Sequence, residues 1–256
     1  MEKSKDNSKK NPKKNTNSSS DNTSKDKALE ELKEKTKQSL DKLILEKFPK
    51  KILELNKLIE EKFNVKGMST LTSTVNIPIP DKPSDQKIPE TTPQSREGID
   101  KRVFLFPNGV NESNEQIVKL SAIVKPLLLD FVTDMRTIKY AIQLMIPKVE
   151  DGHNFGVAIQ ESAIHIISHS ANQAGTRLGQ FTRYHNHRGN IITWIARYPH
   201  CDDYRRCLQE EDQKFYLILC LIIRELRDGY ISLNDLIVKN MDKIKKPRPV
   251  RDVNIY

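Results

Sequence analysis

The sequence predicts an all-α protein, an elongated antiparallel four-helix bundle. Three observations carry that prediction. Apolar residues recur at three- and four-residue steps over four long segments, as one face of a helix turned to a core requires. Only 9 glycines occur in 256 residues and aromatic residues make up 6%, which disfavours a fold of short strands and tight turns. The last three periodic segments are joined by short connections, so successive helices must run antiparallel.

The chain opens on a leader, residues 1–27, made mostly of Lys, Asn and Ser. It holds eight lysines against four acidic residues, so four of the nine net positive charges sit there. With almost nothing apolar it cannot offset its ordering entropy, and it reads as disordered. The first helix falls within 28–65. Leu29, Leu32, Leu40, Leu43, Ile44 and Phe48 begin its stripe, and Ile52, Leu55, Leu58 and Ile59 continue it. Pro49 must kink or restart that helix. Residues 66–102 then read as a mobile linker, because Pro78, Pro80, Pro83, Pro89 and Pro93 interrupt any regular pattern.

Residues 103–246 hold the other three helices. The second spans 111–146, with Ser113 and Gln116 spaced as a capping box and Pro126 predicting a bend. The third spans 155–198 and stops at Pro199. The fourth spans 202–245 and stops at Pro247. Residues 247–256 form an extended tail. Helices of about 35–45 residues at 1.5 Å per residue make a bundle roughly 50–65 Å long. Apolar pairs such as Ile166 and Ile167, and the run from Leu127 to Leu129, are wider than one bundle seam needs. That excess predicts burial against neighbouring subunits.

Composition narrows the function. No apolar run approaches the roughly 18 residues that span a bilayer, and no apolar segment follows the basic start as in a signal peptide. Cys201, Cys207 and Cys220 are odd in number and lack metal spacing, which points to a reducing compartment. His165 and His169 share a helix face, yet Ile166, Ile167 and Ser168 between them offer no glutamate for metalloprotease chemistry, so no metal is expected. No nucleophile motif, phosphate loop or dinucleotide turn is present, so neither a cofactor nor enzyme activity is expected. Lys243, Lys245, Lys246, Arg248 and Arg251 add a second basic cluster, suited to weak polyanion contact. Charges along the helices are mixed in sign and no stacking platform is visible, so sequence-specific nucleic-acid binding is not expected.

Two segments carry more chemistry than their place requires. The connection 147–156 reads PKVEDGHNFG. Backbone freedom explains Gly152 and Gly156. It does not explain Phe155 in a polar turn, which predicts either a lock that stiffens the loop or a partner contact. The chain ends Val253, Asn254, Ile255, Tyr256. An apolar, aromatic end bearing a carboxylate suits a pocket with a lysine, and several such tails on one ring would bind strongly through effective concentration.

Five segments resemble the REG-type (11S regulator) proteasome activators, the gamma-type subunit above all. They are FPKKILEL (48–55), VFLFPNG (103–109), QLMIPKVEDGHNFGVAIQE (143–161), YPHCDDYRR (198–206) and LIVKNMDKIKKPR (236–248). The resemblance implies a four-helix subunit in a homo-heptameric ring with a central channel. Such rings dock on the core proteasome, with tails anchored between its α subunits, and loops that open the gate without ATP. Peptides, or unfolded proteins, would then be substrates of the partner. Carried over by position, the activation loop is Lys148, Glu150, Asp151, Gly152, His153, Asn154, Phe155 and Gly156, and the docking tail is Ile255 and Tyr256. The family loop commonly has Arg at the position of Lys148 and Asn at that of His153. A histidine there is larger and titrates near neutral pH, which predicts weakened or pH-dependent activation. Lys9, Lys10, Lys13 and Lys14 favour the nucleus over the cytoplasm. The alternative reading is an oligomeric helical scaffold, or a polyanion-binding protein, without gate opening.

Overall fold

A computed structural model describes residues 18–71, 73–80, 108–150, 152 and 154–248, with side chains omitted at 18–26, 69 and 70. Helix α1 (Ser18–Lys42) passes through a π-helical turn (Leu43–Lys47) into α2 (Phe48–Glu61), and the three form one rod. A 3₁₀ turn (Val65–Thr70) follows, then α3 (Glu115–Gln143), α4 (Phe155–Arg197) and α5 (Asp202–Lys245). No strand occurs among the described residues. Helix α4 packs on both α3 and α5, while α1 packs on α3 and α2 on α5. The 43 residues of α4 make it about 65 Å long. The four-helix bundle is as the periodicity predicts.

Three boundaries differ from expectation. The first helix opens at Ser18, within the stretch read as a disordered leader. Residues 18–27 carry no apolar stripe to betray a helix, but adding a turn to an existing helix costs far less than starting one. Helix α3 is capped by Asn114, not Ser113. The Asn114 Oδ1 accepts from the Ile117 N–H at 3.3 Å, and its Nδ2 donates to the buried Asp212 at 2.9 Å. That second bond selects asparagine over the preceding serine. The stretch from Lys66, expected to be mobile, is tied down as far as Ile77. Ile77 packs with Ile191, Ile192, Ile195 and Leu208. Arg205 donates to the Ile77 carbonyl at 3.0 Å, and the Asn76 N–H donates to Asn111 Oδ1 at 2.8 Å. Residues 1–17 and 81–107 lie outside the described residues.

Pro49 acts locally. It has no N–H for the Leu45 carbonyl, and the turn before it widens so that the Phe48 N–H reaches back to the Leu43 carbonyl. The helix neither stops nor restarts. Lys47, at the end of this wide turn, reaches Asp134 at 2.6 Å and Asp130 at 2.8 Å. Burial alone would push the Asp130 carboxyl up, but hydrogen bonds from Lys47 and Lys51 outweigh it and hold its pKa below the ordinary carboxylate value. Tyr230 donates to Asp134 at 3.0 Å, with its ring edge-on to Phe48 and Phe131 at 4.7 and 4.9 Å. Burial and its bond to Asp134 push the Tyr230 hydroxyl far up, so it stays a donor.

A second polar centre lies toward the α4–α5 turn. Asp212 is 0% exposed. It accepts from Tyr184 at 2.7 Å, Arg188 at 3.1 Å, Asn114 at 2.9 Å and Ser73 at 2.7 Å, which come from α4, the α3 cap and the segment after α2. Arg188 also donates to the Glu112 carbonyl at 3.1 Å. Removing the carboxylate strands a buried guanidinium, so Asp212→Ala is expected to destabilise the protein by about 3–5 kcal/mol. Urea unfolding measures this, and a loss under about 1 kcal/mol would contradict the assignment.

Candidate functional site

The loop 147–156 leaves the bundle where the ends of α3 and α5 meet the start of α4. Three residues outside the loop's exposed tip organise this end. Gln160, in the first turns of α4, is 0% exposed. Its Nε2 donates to the Ile244 carbonyl at 2.7 Å and the Met145 carbonyl at 3.2 Å. Both partners are acceptors, so the amide nitrogen must face them. One side chain thus occupies carbonyls at the C-terminal ends of α3 and α5, groups that a helix end leaves without partners.

Gly156 sits directly under the start of the tail. A Cβ placed there would lie 2.0 Å from the Pro247 carbonyl oxygen, so only glycine admits this approach. Gly152 has φ +130°, a backbone state that side-chain-bearing residues avoid.

Arg248 closes the arrangement. Its Nη1 donates to the Lys148 carbonyl at 3.0 Å and lies 3.5 Å from Glu150 Oε2. Its Nη2 donates to Asn154 Oδ1 at 3.1 Å and to the Glu150 carbonyl at 3.4 Å. The guanidinium therefore spans the entry arm of the loop, at 148–150, and its exit at Asn154.

The structure brings together Lys148, Glu150, Gly152, Asn154, Phe155 and Gly156. Asp151, His153, Ile255 and Tyr256 lie outside the described residues. Lys148 contributes through its carbonyl, so the absence of an arginine there costs this contact nothing. Phe155 is 74% exposed and borders a shallow groove of about 270 Å³ with Ala158, Ile159 and Leu236. It does not lock the loop from inside; of the two expected roles, an outward contact fits its position. Val149, in the same loop, is 94% exposed.

Sequence reasoning missed Gln160 and Arg248. Gln160 looked like one more polar residue of an amphipathic helix, and nothing in its spacing marks it. In the sequence Arg248 reads as part of a basic cluster. The signal available was its position directly after Pro247, where the helix has ended and a side chain can turn back. Lys245, of the same cluster, pairs with Asp41 at 2.7 Å. His165 and His169 are both exposed, and among the described residues no three metal-ligating side chains converge.

The fold and this end of the molecule define a class: a helical bundle in which a glycine-bearing loop lies against the residues that follow the last helix. Family models match accordingly, "Proteasome activator PA28, C-terminal" over residues 110–254 and "Proteasome activator PA28, N-terminal" over 23–82. The human proteasome activator complex subunit 3 is 35% identical over 247 residues, covering 89% of this chain and 94% of the relative. The crystal structure of the 11S subunit of the Plasmodium falciparum proteasome, PA28, is similar at 27% identity and a TM-score of 0.73, covering 88% of this chain and 96% of that one. A PA26 chain from a complex with an archaeal 20S proteasome shares the fold at 15% identity, with a TM-score of 0.60 over 87% and 94% of the two chains. The chain belongs to the PA28 proteasome activator family. The resemblance read from its segments is borne out, and membership places it among regulatory subunits rather than enzymes.

The contact at Gly156 is testable. Gly156→Ala forces a methyl group into the Pro247 backbone and is expected to cost about 1–3 kcal/mol. An unchanged urea-unfolding midpoint would show that the tail does not pack there.

Proposed function

We propose that seven copies of this chain form a ring with a central channel, and that the ring docks on the core proteasome and opens its gate without ATP. The C-terminal residues Ile255 and Tyr256 enter pockets between α subunits of the core particle. The loop 147–156 meets the gate. Peptides and unfolded polypeptides pass through the channel to the partner's active sites. The observation that carries this reading is the shared exit of loop and tail: Lys148, Asn154 and Gly156 meet Pro247 and Arg248 at one end of the subunit.

Exposed apolar side chains along the rods support assembly. Leu53, Leu129, Ile166 and Val238 all stand out to solvent in the single subunit. No helix among the described residues is long and apolar enough to cross a membrane. The basic leader favours nuclear over cytoplasmic residence. Polyanion binding is the weaker reading, because Arg248 is bonded to the loop and Lys245 is paired with Asp41.

Hydrolysis of fluorogenic peptides by latent core proteasome tests the proposal. Intact rings are expected to stimulate it, and rings lacking Ile255 and Tyr256 to lose most of that stimulation because each ring loses all its anchors at once. Equal stimulation by both would remove the tail from the account. His153 adds a pH dependence. Stimulation is expected to change between about pH 5.5 and 8, and His153→Asn to flatten the change. A flat profile in both proteins would exclude titration of this residue.

A further inference from the structure

The tail does not leave the bundle as free chain. Its first residue, Pro247, presses its backbone on Gly156, and its second, Arg248, is bonded into the loop. We propose that Arg248 is a positioning residue that clamps the two arms of the activation loop to the start of the tail, so that the free ring already presents the loop in one shape. This rests on the activator reading above and adds to it the contact that orders the loop.

The acceptors make the case. Two are main-chain carbonyls, of Lys148 and Glu150, and a third is the Asn154 amide oxygen at the opposite arm. A group bonded to both arms fixes the separation between them. A planar guanidinium can serve both arms at once, whereas a lysine ammonium has no such fork. Two contacts are short, at 3.0 and 3.1 Å, and two are long, at 3.4 and 3.5 Å. Each arm therefore holds one short bond, and the two long contacts both go to Glu150. A loop ordered in this way reaches its target with its ordering cost already met, which raises the effect of contact without adding contacts.

The experiment compares full-length rings of the unaltered chain, Arg248→Ala and Arg248→Lys. Three quantities are read: the half-saturating concentration of rings on the core proteasome, the maximal stimulation of peptide hydrolysis, and hydrogen exchange of amides in 148–154 of the free ring. Sedimentation and thermal unfolding confirm that each variant assembles. Expected are an unchanged half-saturating concentration and faster loop exchange in both variants. Maximal stimulation should fall about tenfold, the loss of roughly one charge-assisted hydrogen bond.

A shift in half-saturating concentration at full maximal stimulation would overturn the proposal, because Arg248 would then serve docking alone. Full rescue by lysine would overturn it too, because charge and not the fork would suffice. Should the unaltered ring fail to stimulate, the activator reading itself fails. Loop exchange in the free ring then decides separately: faster exchange in both variants supports Arg248 as the clamp, and unchanged exchange overturns it.

Discussion

The architecture of the functional end turns on one buried amide. Helix ends carry carbonyls without partners, and crowding two C-terminal ends against one N-terminal end is costly unless those groups are filled. Gln160 fills two of them, at Met145 and Ile244. That fixes where α3 gives way to the loop and where α5 gives way to the tail, on either side of the first turns of α4. Gly156 then lets the tail cross the loop's exit at contact distance. Arg248 needs both conditions: an arginine four residues past Ile244 reaches Lys148 and Asn154 only because the three helix ends are already together.

The rest of the bundle holds that end in register. An apolar stripe that recurs every three or four residues matches itself almost as well one turn along. A buried carboxylate with four donors has no such alternative. Asp212 gathers donors from three segments near one end, and Asp134 joins Lys47 of the rod to Tyr230 of α5 nearer the middle. Between them run aromatic contacts such as Tyr184 stacked on Phe215, with ring centroids 4.2 Å apart. The polar centres thus set which turn faces which, and the apolar residues supply most of the burial.

Much of this was legible in the sequence because it follows from period and punctuation. Helices α4 and α5 begin and end within a residue of their expected limits, since Pro199 and Pro247 stop them and their stripes are long. The composition of 147–156 marks the loop out in the sequence. What could not be read has physical reasons. The polar start of α1 bears no stripe, so its helicity leaves no pattern. The segment around Ile77 looks like linker because prolines break periodicity, yet Ile77 and Val75, with side-chain bonds from Arg205 and to Asp212, hold it against α4 and α5. Gln160 and Asp212 are polar residues whose burial depends on residues distant in the chain. The role of Arg248 lies in where a side chain folds back, which spacing along the sequence does not encode.

The central claim is that loop and tail act as one unit presented to the core proteasome. Electron cryo-microscopy of assembled rings on the core particle tests it most directly. The account predicts tails seated between α subunits, residues 148–154 against the gate, Arg248 bridging both arms of the loop, and an open pore. A ring seated by its tails over a closed gate, with the loops standing clear of it, would contradict the account.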